Sequence, residues 1–401
     1  MALYARDVAA KRPPAPLTRG RRMAFFVLFA IYACIVIPLG VHKGGDIVAE
    51  IGQANLYLHG QMVNAVPPGQ GAWWPPAALL LVAPFALVAE FSLPLAKALW
   101  SGFGIAALAW SVHETARRWG WRPALLALAV ILFPVHNNFH HLNIESILLA
   151  LLVAAALDLS RARPGRAGVW VGLATALKVF PGLVLLYFAV RREWKALSAG
   201  VATACAATLL ALSRYGPGGV VQGLANWTQI VVHGRSYQGG AIGGLQMEKL
   251  GILGNDIGGT PWSIVLLHLF AIGLVAALLL SPTPQDDVPP PGQLGAVVLL
   301  SVLLTPIAWL HTFTLGYLAW VAVFADAEVV IIRPGWWYAL GVAAGYASTA
   351  LSAVPWPAFT RLANFNSDTL GGLVALCVLL VLRRTRLRGA PTTLNGSPDH
   401  T

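Results

Sequence analysis

Apolar runs long enough to cross a lipid bilayer recur along the whole chain, from Met23–Val41 to roughly Thr369–Leu382. A helix needs about 20 such residues to span the hydrocarbon, where every backbone N–H and C=O must be bonded internally. The chain therefore reads as an all-α, polytopic membrane protein. Composition agrees: 57% of the 401 residues are hydrophobic and only 11% are charged, against about 25% charged in soluble domains. Cys34, Cys205 and Cys377 each lie in an apolar run, with no Cys or His partner at metal spacing. They read as small core residues without a disulfide, zinc or redox role. The first run lacks a small-residue cleavage site, so it reads as an uncleaved anchor.

A net charge of +11 raises the question of nucleic acid, but the distribution argues against it. Arg and Lys gather at 6–22, 117–122, 161–166, 191–195 and 383–388, each cluster beside an apolar run. Placing these clusters on one side of the membrane follows the positive-inside rule, and they are suited to anionic lipid heads. On this basis both termini are cytoplasmic, and residues 1–20 and 389–401 read as disordered tails of a membrane domain at 21–388.

The same rule threads the chain. Met23–Val41 leads out, and the 42–93 stretch stays outside, with Ala77–Ala89 too short for an ordinary span and placed in the outer leaflet. Leu95–Val112 returns, Ala124–Val135 leads out to a tip at His136–His141, and Leu142–Leu159 comes back. Residues 167–190 carry basic clusters at both ends and Lys178 with Pro181-Gly182 in the middle. Two short helices that dip in and return near Lys178 satisfy the charge rule there. Ala196–Leu212 then leads to an outer loop from about Ser213 to Pro261, and Trp262–Leu280 returns to a Pro-rich cytoplasmic loop at Ser281–Gly292. Three crossings ending near Trp309, Phe324 and Ser352, and a last one to Leu382, complete about twelve membrane helices, the re-entrant pair included. No internal repeat is visible, so the signature of many transporters is missing.

Polar residues stand out against this background. Asp46 follows the first run in His42-Lys43-Gly44-Gly45-Asp46, where a carboxylate meets water and can still reach a lipid-borne substrate. On a helix, Asp46, Glu50, Gln53 and Tyr57 form one polar stripe beside an apolar stripe of Ile47, Ile51, Ala54 and Leu58. This predicts an amphipathic helix on the outer surface, its polar side toward a water-filled cavity; Asp46 as a plain helix N-cap is the simpler alternative. His140-His141, Asn143 and Glu145 gather where a tip re-enters the membrane, as headgroup contacts or helix-start residues, without a complete metal set. Lys178 is an intramembrane cation, either functional or snorkelling to an interface. Thr305 to His311 ends another outward crossing, with Trp309 and His311 at the interface. The outer loop offers His233, Arg235, Tyr237, Gln238, Glu248 and Lys249 among glycines, a weak phosphate-binding signal.

Taken in order, these segments resemble glycosyltransferase family 87, within the GT-C class of enzymes that use polyprenyl-phosphate sugars. The family's Asp-x-x-x-Tyr-Tyr-x-Ala-x-x-Ala-x-x-x-Gly block is similar in spacing to Asp46–Gly60, with Glu50-Ile51 in place of the tyrosines. Its Tyr-Pro-Pro resembles Trp74-Pro75-Pro76, its Gly-Gln-x-Asn resembles His140-His141-Leu142-Asn143, and its Ala-Gly…Lys-x-x-Pro resembles Ala167-Gly168…Lys178-Val179-Phe180-Pro181. Its Ser-Pro-x-Ser-Trp-x-His block resembles Thr305–His311, with Ala308 and Leu310 departing.

The resemblance implies a GT-C fold in the plasma (inner) membrane and an inverting hexosyl transfer, with mannose as the family's usual sugar. The donor would be a polyprenyl-phosphate sugar, the acceptor a hydroxyl on a lipid or glycan, and the reaction site extracytoplasmic. It implies Asp46 as general base, with Lys178 and either Arg235 or His311 neutralising the leaving phosphate. Glu50, Gln53, Tyr57, His141, Asn143, Trp309 and Gln238 are the expected substrate contacts. No metal or cofactor is expected. A lipid or sugar transporter is the competing reading, and it would line a path through the protein with charge, whereas these polar residues gather near one face.

Overall fold

The structure, a computed structural model, describes residues 18–65, 73–237, 249–258, 260–281, 291–305, 308–330, 341, 345 and 367–389. Among them every regular element is helical. In order these are α1 Arg19–Lys43, α2 Asp46–Leu58, α3 Ala78–Phe91, α4 Leu93–Trp119, α5 Trp121–Val130, α6 Leu132–His141, α7 Glu145–Leu159 and α8 Pro164–Leu177. Then follow α9 Leu183–Val190, α10 Trp194–Leu212, α11 Gly216–Tyr237, α12 Lys249–Gly258, α13 Pro261–Leu280, α14 Gly292–Leu304, α15 Tyr317–Val330 and α16 Ser367–Gly389. Five stretches are long and apolar enough to cross a membrane, or six if the bent α5–α6 pair counts as one span. The chain is a multi-pass, all-helical membrane protein.

Local chemistry sets the helix ends. Thr18 caps α1 by accepting from Arg21 N at 3.4 Å. Ser92 does the same for α4 through Leu95 N at 3.3 Å, with Pro94 in the first turn, so α3 and α4 meet at a single residue. The chain breaks at Lys178: α8 stops at Leu177, a 3-10 turn covers Phe180–Gly182, and α9 begins at Leu183. Pro181 lacks the N–H that a continuous helix would need there.

In the membrane, helices gain little from the hydrophobic effect against each other, so small residues set close approach. Gly168 and Gly172 of α8 face α10 so tightly that a Cβ on Gly168 would lie 2.1 Å from Ala196 O, and one on Gly172 would lie 2.3 Å from Gly200 O. Gly40 and Gly44, also four apart, receive the Leu142 side chain in the same way. Far from that contact, Asp326 of α15 pairs with Arg386 of α16, and Arg383, 1% exposed, lies beside it.

Four expectations change. The outer loop expected over 213–261 is largely helix, as α11 and α12. Gly216-Pro217-Gly218 forms the first turn of α11, where proline is tolerated. The tip expected at His136–His141 is the second half of α6, and the turn comes later, at Leu142–Ile144. Asp46 is not the N-cap of α2; Gly45 holds that position and Asp46 opens the helix. Nor does the polar stripe of α2 face open water. Glu50 and Gln53 are as buried as Ile47 and Ile51, because the segment that follows α2 folds back over them. Residues 1–17 and 390–401, nearly all of both expected tails, lie outside the described residues, as does the crossing expected to end near Ser352.

Candidate active site

The ends of α1 and α6 meet through Leu142. This residue terminates α6 in the left-handed region (φ 56°), a conformation that costs a non-glycine residue on the order of 1 kcal/mol. Three contacts hold it there. Its N–H donates to Asn138 O, its carbonyl accepts from Trp100 Nε1 at 3.1 Å, and its side chain is packed over Gly40 and Gly44. The turn is completed by Asn143 N donating to Asn138 O at 3.0 Å and by Glu145 N donating to Asn138 Oδ1 at 3.2 Å.

This turn delivers Asn143 to Asp46. Asn143 Nδ2 donates to Asp46 Oδ2 at 2.7 Å. Its Oδ1 accepts from Lys178 Nζ at 3.2 Å and from Ile144 N at 2.8 Å. Lys178 also pairs with Glu145, and His311 Nε2 lies 3.8 Å from the same Glu145 oxygen. The His141 and His311 rings are 5.9 Å apart. Asp46, Asn143, Lys178, Glu145 and His311 thus form one connected polar chain, drawn from four separate segments. Asp46 and Lys178 are partly exposed, while Glu145 and His311 are buried. Among the described residues no group of three or more His, Cys, Asp or Glu side chains forms a metal cluster.

The other expected site residues divide. Glu50 Oε1 accepts from Trp74 N at 3.1 Å and Gln53 Oε1 accepts from Asn64 N at 2.6 Å, so both clamp the segment after α2. Burial pushes the Glu50 carboxyl up to about 8; the Trp74 and Trp73 N–H groups and Lys178 oppose the shift and Asp46 adds to it. Glu50 is therefore largely protonated near neutral pH. Tyr57, at the far end of α2, is covered by the Arg214 guanidinium 4.8 Å from its ring centre, and Arg214 donates to its carbonyl. Asn226 and Trp227 of α11 fasten the same segment through Val63 O and Trp73 O, each at 3.2 Å. Trp309 is 53% exposed. The Arg235 side chain and all of Gln238 lie outside the described residues.

Sequence reasoning placed Glu145 only among the headgroup or helix-start residues of the 140–145 cluster and gave no role to Arg214. A carboxylate in the first turn of an apolar helix reads as ordinary dipole chemistry, and only the position of Lys178 marks Glu145 as different. Arg214 carried no signal.

Residues 73–306 match the model of glycosyltransferase family 87. A polyprenol-phosphate-mannose-dependent alpha-(1-2)-phosphatidylinositol mannoside mannosyltransferase of Mycolicibacterium smegmatis is 28% identical over 74% of this chain and 69% of its own length. A polyprenol-phosphate-mannose-dependent alpha-(1-2)-phosphatidylinositol pentamannoside mannosyltransferase of the same organism is 25% identical over 69% of this chain and 76% of its own. A shorter match, 35% identical over 19% of this chain and 18% of the relative, is to a phosphatidylinositol mannoside mannosyltransferase of Mycobacterium tuberculosis.

Proposed function

The chain belongs to glycosyltransferase family 87, and from that premise we propose that it moves mannose from a polyprenyl-phosphate donor to a hydroxyl of a lipid-borne acceptor, such as a phosphatidylinositol mannoside, with Asp46 as general base. The observation that carries this reading is the bond from Asn143 Nδ2 to Asp46 Oδ2, with Lys178 on the other end of the same amide. It sets a candidate base and a candidate phosphate-binding cation on either side of one rigid linker.

Asp46 would accept the acceptor hydroxyl's proton as that oxygen attacks the anomeric carbon. The bond from that carbon to the donor phosphate oxygen breaks on the opposite face, so the anomeric configuration inverts. The departing polyprenyl phosphate keeps the electron pair and needs charge neutralisation more than a proton. Lys178 has three N–H groups, two of them engaged by Glu145 and Asn143, and the third is the natural donor to that phosphate. His311, and Arg235 where it reaches, would assist. His141, Trp309, Tyr57 and Gln238 are proposed to line the sugar and acceptor sites, with Glu50 and Gln53 acting from behind by shaping the segment that covers them. The reaction is proposed for the extracytoplasmic face of the plasma membrane, with cytoplasmic termini and about twelve membrane helices.

The test is transfer from labelled polyprenyl-phosphate-mannose to membrane lipid extract by the wild type and by folded Asp46→Asn. Transfer by the wild type alone supports the reading. Equal transfer by both removes Asp46 from the mechanism, and no transfer by either overturns the choice of donor.

A further inference from the structure

We infer that Glu145 is a positioning residue for the transfer reaction, acting through Lys178 and Asn143 on Asp46; the inference rests on the function proposed above. Glu145 is fully buried, and a carboxylate without water persists only when paired. Its anchoring runs through one oxygen. Oε1 meets Lys178 and faces His311, whereas Oε2 has no hydrogen-bond partner among the described residues. Its own backbone is fixed by Asn138 Oδ1, and Asn138 Nδ2 is in turn held by Ser146 Oγ at 3.1 Å. The carboxylate is therefore a fixed point, and the long, flexible stem of Lys178 lets its ammonium be drawn to it.

The consequence passes along the chain. Lys178 can donate to Asn143 only through Oδ1, and Ile144 N donates to the same oxygen. The amide is thereby locked, because turning it over would set its NH2 against an ammonium and a backbone N–H. Locked in this sense, Nδ2 faces Asp46 and holds the carboxylate in one rotamer. The same pairing holds the third Lys178 N–H in a fixed direction for the donor phosphate. Without Glu145 the ammonium has no fixed point, and base and cation lose their relative geometry. A misplacement of about 1 Å in a reacting constellation lowers turnover on the order of 100-fold.

The experiment uses the full chain in detergent, with labelled polyprenyl-phosphate-mannose and lipid extract, and compares Glu145→Gln, Glu145→Asp, Lys178→Met and the Glu145→Gln/Lys178→Met double variant. Glu145→Gln is expected to lower kcat on the order of 100-fold while the donor KM changes less than about threefold, the mark of an interaction felt in the transition state. The double variant is expected to be no slower than Lys178→Met alone, since residues acting in one line are not additive. A purely structural Glu145 would give additive losses instead, and that result, or wild-type kcat in Glu145→Gln, overturns the inference. Where Glu145→Gln does not fold, Glu145→Asp decides. It keeps the charge but is one methylene short, and it is expected to lose roughly 10-fold in kcat at unchanged KM; wild-type kcat there refutes positioning. An inactive Asp46→Asn beside fully active Glu145 variants leaves the proposed function standing and sinks this inference alone. An active Asp46→Asn removes both.

Discussion

Placing a single methyl group at Gly44 tests whether the α1–α6 contact positions the site. Gly44 has an ordinary φ of −56°, so alanine meets no backbone penalty, and the whole effect is spatial. Its Cβ would lie 2.3 Å from Leu142 Cγ, 2.4 Å from Leu142 Cδ1 and 2.6 Å from the Gly40 carbonyl oxygen, the two carbon contacts roughly 1 Å or more inside the 3.5 Å at which carbons pack. Leu142 cannot turn aside freely, because it is 1% exposed, its carbonyl is held by Trp100, and its backbone is in the left-handed region. Overpacking of this kind costs about 1–3 kcal/mol. The displacement passes directly to Asn143, the next residue, whose 2.7 Å bond to Asp46 tolerates little movement. Gly44→Ala is therefore expected to lower kcat for mannosyl transfer by about 10- to 100-fold and to lower the thermal midpoint in detergent by a few degrees. Adding Leu142→Ala removes the side-chain part of the overlap but not the contact with the Gly40 carbonyl, and is expected to restore part of the activity despite the lost burial. Wild-type turnover in Gly44→Ala would refute the idea that this contact sets Asn143 against Asp46.

Three other outcomes follow from the packing and charge pattern. Because burial raises Glu50 to about 8, the folded state keeps a proton that the unfolded chain releases near 4.5. Its stability contribution is full below about pH 4.5 and is lost as pH rises toward 8, on the order of a few kcal/mol in all. Glu50→Gln should remove that slope in thermal unfolding between pH 5 and 8.5, and parallel curves for variant and wild type would contradict the assignment. Gly172→Ala, whose Cβ meets the Gly200 backbone, is expected to destabilise by about 1–3 kcal/mol, whereas Gly102→Ala, with nothing within 4 Å, is expected to be neutral or slightly stabilising; equal midpoints for the two would remove the close α8–α10 approach. Asp326→Asn takes a counter-ion from buried Arg383 and part-buried Arg386 and is expected to cost about 3–5 kcal/mol, seen as loss of monodisperse protein on size exclusion; a wild-type profile would show the arginines to be solvated.

Much of the site was legible one segment at a time. Asp46 was marked by its place after the first apolar run, Lys178 by its cost inside another, and His311 by the end of a third. The helix break beside Lys178 was visible as Pro181-Gly182, because proline and glycine act locally. Glu50 and Gln53 were misplaced for the opposite reason. Helical periodicity identifies a polar stripe but not what covers it, and here the cover is a segment whose N–H groups at Asn64 and Trp74 need acceptors. The pairing of Glu145 was missed because its partner lies 33 residues away.

The sequence by itself determined that this chain lives in a membrane, where most of its apolar helices run, and which family it resembles, since hydropathy, helix breaking and motif spacing are properties of contiguous residues. The tertiary structure alone decided which polar groups work together. The amide that ties Asp46 to Lys178 comes from a residue 97 positions beyond Asp46, brought there by glycines that leave room for one leucine. A buried charge takes its meaning from the counter-ion within a few ångströms, and that neighbour is chosen by packing.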